Sequence, residues 1–163
     1  MFFSDKMNNA LNEQIGHELA ASLQYVAIAT HFDSTGLTEL AKHFYRQAEE
    51  EREHGMRILR YVLDAGGAVV IPAIPAPKSM FKSAEECVKL SVDWENTVTK
   101  QIHAIVELAV KENDYTTQNA MQWFVEEQLE EVSSMEALLS IVQRAGESGL
   151  LQVEDYLARK GAK

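Results

Sequence analysis

The sequence predicts an all-α protein: a four-helix bundle with one long crossover and a short fifth helix at its end. Three observations carry this. The chain has 163 residues, and its only prolines, Pro72, Pro75 and Pro77, fall within one short stretch. On either side, glycine-containing breaks separate long segments rich in Ala, Leu, Glu, Lys and Gln, which are good helix formers. The proline stretch is also long enough to return the chain along the whole bundle. A chain of this length forms one domain whose core needs no covalent staples.

In order, α1 is expected at about 5–34 with Ser4 as N-cap, and α2 at about 38–65 with Thr38 as its cap. Helix α3 follows at about 83–112, where Ser83 and Glu86 form a capping-box pattern. Helix α4 runs at about 116–145 and α5 at about 149–160. Short breaks make α1/α2 and α3/α4 antiparallel hairpins. The segment AGGAVVIPAIPAPKSMFK between α2 and α3 is different. A 28-residue helix is about 42 Å long, and about 16 extended residues reach roughly 53–58 Å. Stiffened by its prolines, the segment can span the bundle and bring α3 back to the starting end of α2. The expected organisation is a bundle over 1–145, with the crossover at about 66–82, and a fifth helix and tail over 146–163.

Composition excludes several classes. Twenty-five acids against 15 bases give a net charge of −10, which disfavours nucleic acid as a partner. No apolar stretch is long enough to span a membrane. The start, MFFSDKMNNALNEQ, lacks the basic and apolar regions of a signal peptide. The single cysteine, Cys87, excludes an internal disulfide and a cysteine-clustered metal site, and fits a reducing, cytoplasmic setting.

The informative feature is where the acids sit. Apolar periodicity gives an inward stripe on each helix. On α1 it is Leu11, Ile15, Glu18, Ser22, Tyr25, Ala29; on α2, Leu40, Phe44, Gln47, Glu51, His54, Ile58, Val62. On α3 it is Val88, Val92, Glu95, Val98, Ile102, Ile105; on α4, Met121, Phe124, Gln128, Glu131, Met135, Leu138, Val142. Each stripe is interrupted near its middle: by Glu18, by Glu51 with His54, by Glu95, and by Gln128 with Glu131. Taken singly, such a glutamate usually flanks the stripe and faces water. Four interruptions at matching depth point elsewhere. Buried carboxylates cost several kcal/mol each unless paired, and the stripes hold no Lys or Arg. A metal is the simplest compensation.

The spacing supports this. Glu18 to Glu51 and Glu95 to Gln128 are both 33 residues, and Glu51-x-x-His54 and Gln128-x-x-Glu131 are both one-face pairs. An offset of 77 maps 18, 51 and 54 onto 95, 128 and 131. Two such hairpins facing each other place two metals at one centre, with Glu51 best placed to bridge them. An oxygen-rich set with one imidazole suits iron or manganese, and two metals can activate one small molecule between them. With iron, that molecule is dioxygen or peroxide. Tyr25, two turns after Glu18, either serves the centre by hydrogen bond or electron, or is a core tyrosine.

At these residues the chain resembles the haem-free bacterial ferritins, of the ferritin-like di-iron carboxylate family. The matching segments are LNEQIGHELAASLQY in α1, QAEEEREH in α2, DWENTVTKQI in α3 and MQWFVEEQLEEV in α4. Bundles with core Glu and Glu-x-x-His ligands are already described for that family. The resemblance implies a ferroxidase centre. Glu18, Glu51 and His54 would hold the first iron; Glu51, Glu95 and Glu131 the second, with Gln128 a nearby polar partner. It implies a third, more exposed iron site from Glu50, Glu127, Glu130 and shared Glu131. It also implies a 24-subunit homo-oligomeric cage. The cage oxidises Fe2+ to Fe3+ with dioxygen or peroxide and stores it as ferric oxyhydroxide mineral. In that cage α5 would line four-fold channels, and Asp114, near the α3–α4 turn, would approach three-fold channels.

The chain departs from the haem-containing bacterioferritins. Their second motif is Glu-x-x-His, where this chain has Gln128-x-x-Glu131. Their haem-ligating methionine falls at Arg52, so no haem is expected. The nearest functional alternatives are a mini-ferritin-like protein, which lacks α5 and places its ligands between subunits, and a dimeric di-iron peroxidase.

Overall fold

The computed structural model describes residues 1–161; the last two residues of the expected 146–163 tail lie outside them. Five α-helices follow in order: α1 Asp5–Ser34, α2 Thr38–Asp64, α3 Ala84–Glu112, α4 Tyr115–Ala145 and α5 Leu150–Gly161. Each end falls within one residue of the sequence expectation. A single 3-10 turn at Glu147–Gly149 joins α4 to α5. Helix α1 pairs with α2, α3 with α4, and α1 packs along α3; α5 folds back onto α2 and α4 of its own chain. No helix among the described residues is long and apolar enough to cross a membrane.

The helix starts use two kinds of cap. Ser4 Oγ accepts from Met7 N at 3.1 Å, Ser83 Oγ from Glu86 N at 3.1 Å, and Asp114 Oδ1 from Thr117 N at 2.9 Å. Each satisfies a first-turn amide that has no helical partner. The expected cap at Thr38 is corrected: Thr38 is the first helical residue, and the cap position falls to Leu37, which has no side-chain acceptor. Glu154 of α5 supplies it instead, accepting from Glu39 N at 2.6 Å and Leu40 N at 3.1 Å. Glu147 likewise reaches Ala84 N at the start of α3, at 2.9 Å. The capping box at Ser83 is half formed, because the Glu86 carboxylate turns to Lys82 N and Lys78 Nζ.

The crossover runs alongside α1 in the same direction, held by three side-chain amides. Asn8 both donates to Ala68 O and accepts from Ala68 N, at 3.1 and 3.0 Å. Asn12 donates to Ala68 O at 2.8 Å and accepts from Val70 N at 2.8 Å. Gln24 makes the same paired contact with Lys78, at 2.8 and 2.9 Å. Between the clamps the crossover presses on the helix at Gly16, where a Cβ would meet Pro72 Cγ at 2.3 Å. This is why a glycine sits inside a helical pattern. At Gly55, between α1 and α2, an added Cβ would stand 3.4 Å from Glu18 Cβ, an ordinary packing contact.

Apart from half-buried Ser22, every residue of the four stripes is buried. The apolar core forms two clusters. One holds Tyr25, Phe32, Phe44, Val88, Leu138 and Leu150; the other holds Met7, Leu11, Ile58, Ile102, Met121 and Phe124. In sequence, the polar interruptions of every stripe fall between the two. Of the apolar residues in α5, Leu150 and Val153 are buried against the chain's own bundle, while Leu151 and Tyr156 are exposed.

Candidate metal centre

Six polar residues meet between the two apolar clusters. Glu18, Glu51, His54, Glu95, Gln128 and Glu131 are each at most 5% exposed. The register of the stripes places them: one from α1, two from α2, one from α3 and two from α4. Each of three donor groups has one ligand atom per residue, all within 4.8 Å of one another. They are Glu18, Glu51, His54; Glu51, Glu95, Glu131; and His54, Glu127, Glu131. Each pair of groups shares one residue. The first two groups are the two ligand sets expected from the sequence, with Glu51 common to both.

The surroundings divide these carboxylates. Glu95 accepts at both oxygens, from Tyr25 Oη and from Gln128 Nε2 at 3.2 Å. Gln128 Nε2 also contacts Glu95 O at 3.2 Å and Thr99 Oγ1 at 3.1 Å. Glu131 Oε2 accepts from Gln47 Nε2 at 2.9 Å. Glu18 Oε1 accepts from Gln14 Nε2 at 2.7 Å, but among the described residues its second oxygen has no partner, and neither oxygen of Glu51 has one. A buried polar atom left without a partner is costly, and an unpaired buried charge much more so. Without a cation, protons must take up that charge. Burial, reinforced by neighbouring Glu51, holds Glu18 well above the usual carboxylate range. Burial and Glu95 do the same to Glu51, and burial raises Glu95. Burial, with Glu95 and Glu50 nearby, lifts Glu131 to about 8. The donor set and its orphaned oxygens fit divalent cations, and Glu51 is common to two of the groups.

His54 sits at the edge of this layer, its ring 5.3 Å from that of Trp123 and 6.0 Å from that of Phe124, both edge-on. Its Nδ1 is 3.6 Å from Glu51 Oε2, and its Nε2 is 4.0 Å from Glu127 Oε1. Trp123 carries the Arg57 guanidinium 4.0 Å above its ring centre. Tyr25 stands in the core as a donor to Glu95, and burial beside Glu95 holds its hydroxyl well above its ordinary range.

The other residues expected in a third site line one pocket of about 300 Å³ beside the centre. Glu50, Glu127, Glu130 and Glu131 border it with His43, Arg46, Gln47 and Ser134. Glu127 and Glu131 belong to a convergent donor group; among the described residues, Glu50 and Glu130 belong to none. Glu50 and Glu130 are exposed and Glu127 is half-buried. Glu49, Glu53 and Glu126 are exposed as well.

Sequence reasoning missed the roles of three residues. Gln14 stands one turn before Glu18, a spacing that could have revealed it. Gln47 was visible as a stripe residue, but its amide links Glu131 to Glu50, the latter at 3.1 Å, across two helices. Thr99 similarly stands one turn after Glu95.

Residues 8–145 match the Ferritin family, described as a Ferritin-like domain. Among curated proteins, the chain is 43% identical over 155 residues to "Ferritin BfrB" of Mycolicibacterium smegmatis, covering 95% of this chain and 85% of that one. It is 37% identical over 144 residues to "Bacterial non-heme ferritin" of Staphylococcus haemolyticus, covering 88% and 87%. Among solved structures, an open pore ferritin from the hyperthermophilic archaeon Archaeoglobus fulgidus superposes with a TM-score of 0.93. It shares 35% identity, over 96% of each chain.

Proposed function

The chain belongs to the ferritin family, and from that premise we propose that it is an iron-storage protein with a ferroxidase centre. The observation that carries this reading is Glu51: it belongs to two donor groups at once, and both its oxygens are buried without a partner. Ferrous iron is the substrate. Glu18, Glu51 and His54 bind one ion; Glu51, Glu95 and Glu131 bind the other. Binding displaces protons that burial holds on these carboxylates. Oxidation of two ferrous ions releases two electrons. With two protons, these reduce dioxygen to hydrogen peroxide, or peroxide to water. Gln14, Gln47, Gln128 and Tyr25 hold the carboxylates in place, as outer partners of metal ligands do.

The ferric product passes through the pocket of Glu50, Glu127, Glu130 and Glu131. Their hard oxygen donors favour it. It is then stored as ferric oxyhydroxide inside a cage of 24 copies in the cytoplasm. Haem has no part in this reading, since exposed Arg52, 3.4 Å from Glu53, offers no thioether. The mini-ferritin-like and dimeric peroxidase alternatives are disfavoured by α5, for which they have no use. A ligand set gathered within one bundle disfavours the former further.

Anaerobic loading with ferrous iron, followed by rapid mixing with dioxygen, tests the centre. Two ions per chain should oxidise in a fast phase that Glu51→Ala abolishes. A variant that oxidises iron at the wild-type initial rate overturns the assignment. Native mass spectrometry tests the cage, and a chain found only as monomer or dimer removes it.

A further inference from the structure

Another cavity, of about 290 Å³, opens where α2, α4 and α5 meet. Its polar lining is His43 and Arg46 from α2, Ser134 from α4, and Tyr156 and Lys160 from α5. Among the described residues no carboxylate lines it, although the chain carries 25 acids against 15 bases. Leu138 and Leu157 give it apolar walls, which strengthen charge interactions inside. Arg46 and Lys160 make no ion pair among the described residues. His43 Nε2 is buried and, among the described residues, has no hydrogen-bond partner. Burial, with the Arg46 and Lys160 charges, pushes His43 down to about 4, so its ring is neutral near pH 7 and keeps one N–H donor. Ser134 Oγ already donates to Glu131 O at 3.1 Å, which leaves it only lone pairs.

We propose that His43, Arg46 and Lys160 form a binding site for a tetrahedral oxyanion, of which inorganic phosphate is the representative. The guanidinium fork of Arg46 matches two oxygens at once, and Lys160 adds a point charge on a flexible stem. The His43 ring contributes a neutral donor. A water takes about 30 Å³ of liquid, so the cavity holds the anion with room for water around it. Arg46 borders both this cavity and the acidic pocket of Glu50, Glu127, Glu130 and Glu131. Its charge favours the ionised form of Glu50 there. A phosphate drawn onto Arg46 cancels that positive charge, so the acidic pocket holds a highly charged cation more tightly. By reciprocity the cation tightens the anion. This consequence rests on the reading of the acidic pocket as the ferric route; the anion site itself does not.

Inorganic phosphate tests the site in the metal-free full-length protein, in a buffer without other oxyanions. Calorimetry should show saturable binding of one phosphate per chain. Arg46→Ala should weaken it by about tenfold or more, and Lys160→Ala should weaken it less. Both side chains are exposed, so neither change threatens folding. Arg159→Ala is the control: it removes the same charge from the same turn of α5, but Arg159 pairs with Asp155 at 2.7 Å and does not line the cavity. It should leave phosphate affinity unchanged. Crystals grown with arsenate, a heavier mimic, should show anomalous density among His43, Arg46 and Lys160. Binding that does not saturate, that ignores Arg46→Ala, or that Arg159→Ala weakens as much as Lys160→Ala overturns the proposal, as does arsenic density only elsewhere. Because no iron is present, that failure leaves the ferroxidase reading standing, and loss of the ferroxidase reading leaves the anion site standing.

Discussion

Hairpins α1–α2 and α3–α4 carry the same three positions, 77 residues apart, and treat them in opposite ways. In the first, Glu51 has two buried oxygens without a partner, and Glu18 has one. In the second, Gln128 replaces the glutamate and gives its amide to Glu95 and Thr99. Glu95 also receives Tyr25, and Glu131 receives Gln47 from α2. The first hairpin is short of donors and the second is supplied with neutral ones. A carboxylate without partners is destabilising until a cation arrives, whereas a hydrogen-bonded one is already oriented. The repeat sets where the ligands stand. The departures from it assign affinity to the first hairpin and geometry to the second.

Glu51→Gln copies the second hairpin onto the first and should have the largest effect. Fast ferrous oxidation in stopped flow should fall by about 100-fold or more, beyond the usual loss of an outer partner. The metal-free protein should melt at a higher temperature, because a buried carboxylate without partners is gone. A lower melting temperature would mean that Glu51 is already satisfied.

Acidity acts on both hairpins together. An ordinary glutamate titrates near 4.5, whereas burial lifts Glu131 to about 8 and raises Glu18, Glu51 and Glu95. Between those values the native metal-free protein binds more protons than the unfolded chain. Its stability should therefore fall as pH rises through that window, and for Glu131 level off above about 8. Metal affinity should run the other way, rising roughly tenfold per pH unit for each proton displaced. Denaturant melts and Zn2+ calorimetry across the window check both slopes; stability that climbs with pH in the metal-free protein would contradict the assignment.

Gln128→Glu makes the reverse change. It removes the amide that holds Glu95 and adds a carboxyl beside it, which should cost the metal-free protein about 1–3 kcal/mol. Zn2+ should restore much of that loss, and a denaturant melt with and without the ion measures it. Gln14→Leu should have the smallest effect. It removes the hydrogen bond that Gln14 gives Glu18 and should weaken the first position by about tenfold, with the second unchanged. Equal weakening of both positions, read by calorimetry, would mean that the two hairpins are not distinct.

The sequence carried the helices and the layer because both repeat within single elements. Helix ends were marked by Ser4, Ser83 and glycine breaks, and the stripes by steps of three and four. The features it hid depend on residues that meet only after folding. Glu154 caps α2 from 115 residues away, so no local pattern could prefer it to Thr38. Gln47 reaches Glu131 across 84 residues. Asn8, Asn12 and Gln24 resemble ordinary solvent-facing polar residues in a helix. One accounting would have found them: the crossover's amides and carbonyls need partners when they lie against a helix, and α1 is where those partners had to come from.

The clamps on the crossover have an evolutionary corollary. Asn8, Asn12 and Gln24 read main-chain atoms of Ala68, Val70 and Lys78, and nothing of their side chains. The tether is therefore recognised by its contour and not by its spelling. Exposed positions such as Val70, Ile71 and Met80 are open to drift or to engineered replacement. Its length is under a stricter rule, because losing a single residue between Val70 and Lys78 would shift every later amide away from Gln24. At its exposed positions this is a segment free to change its letters but not to lose one.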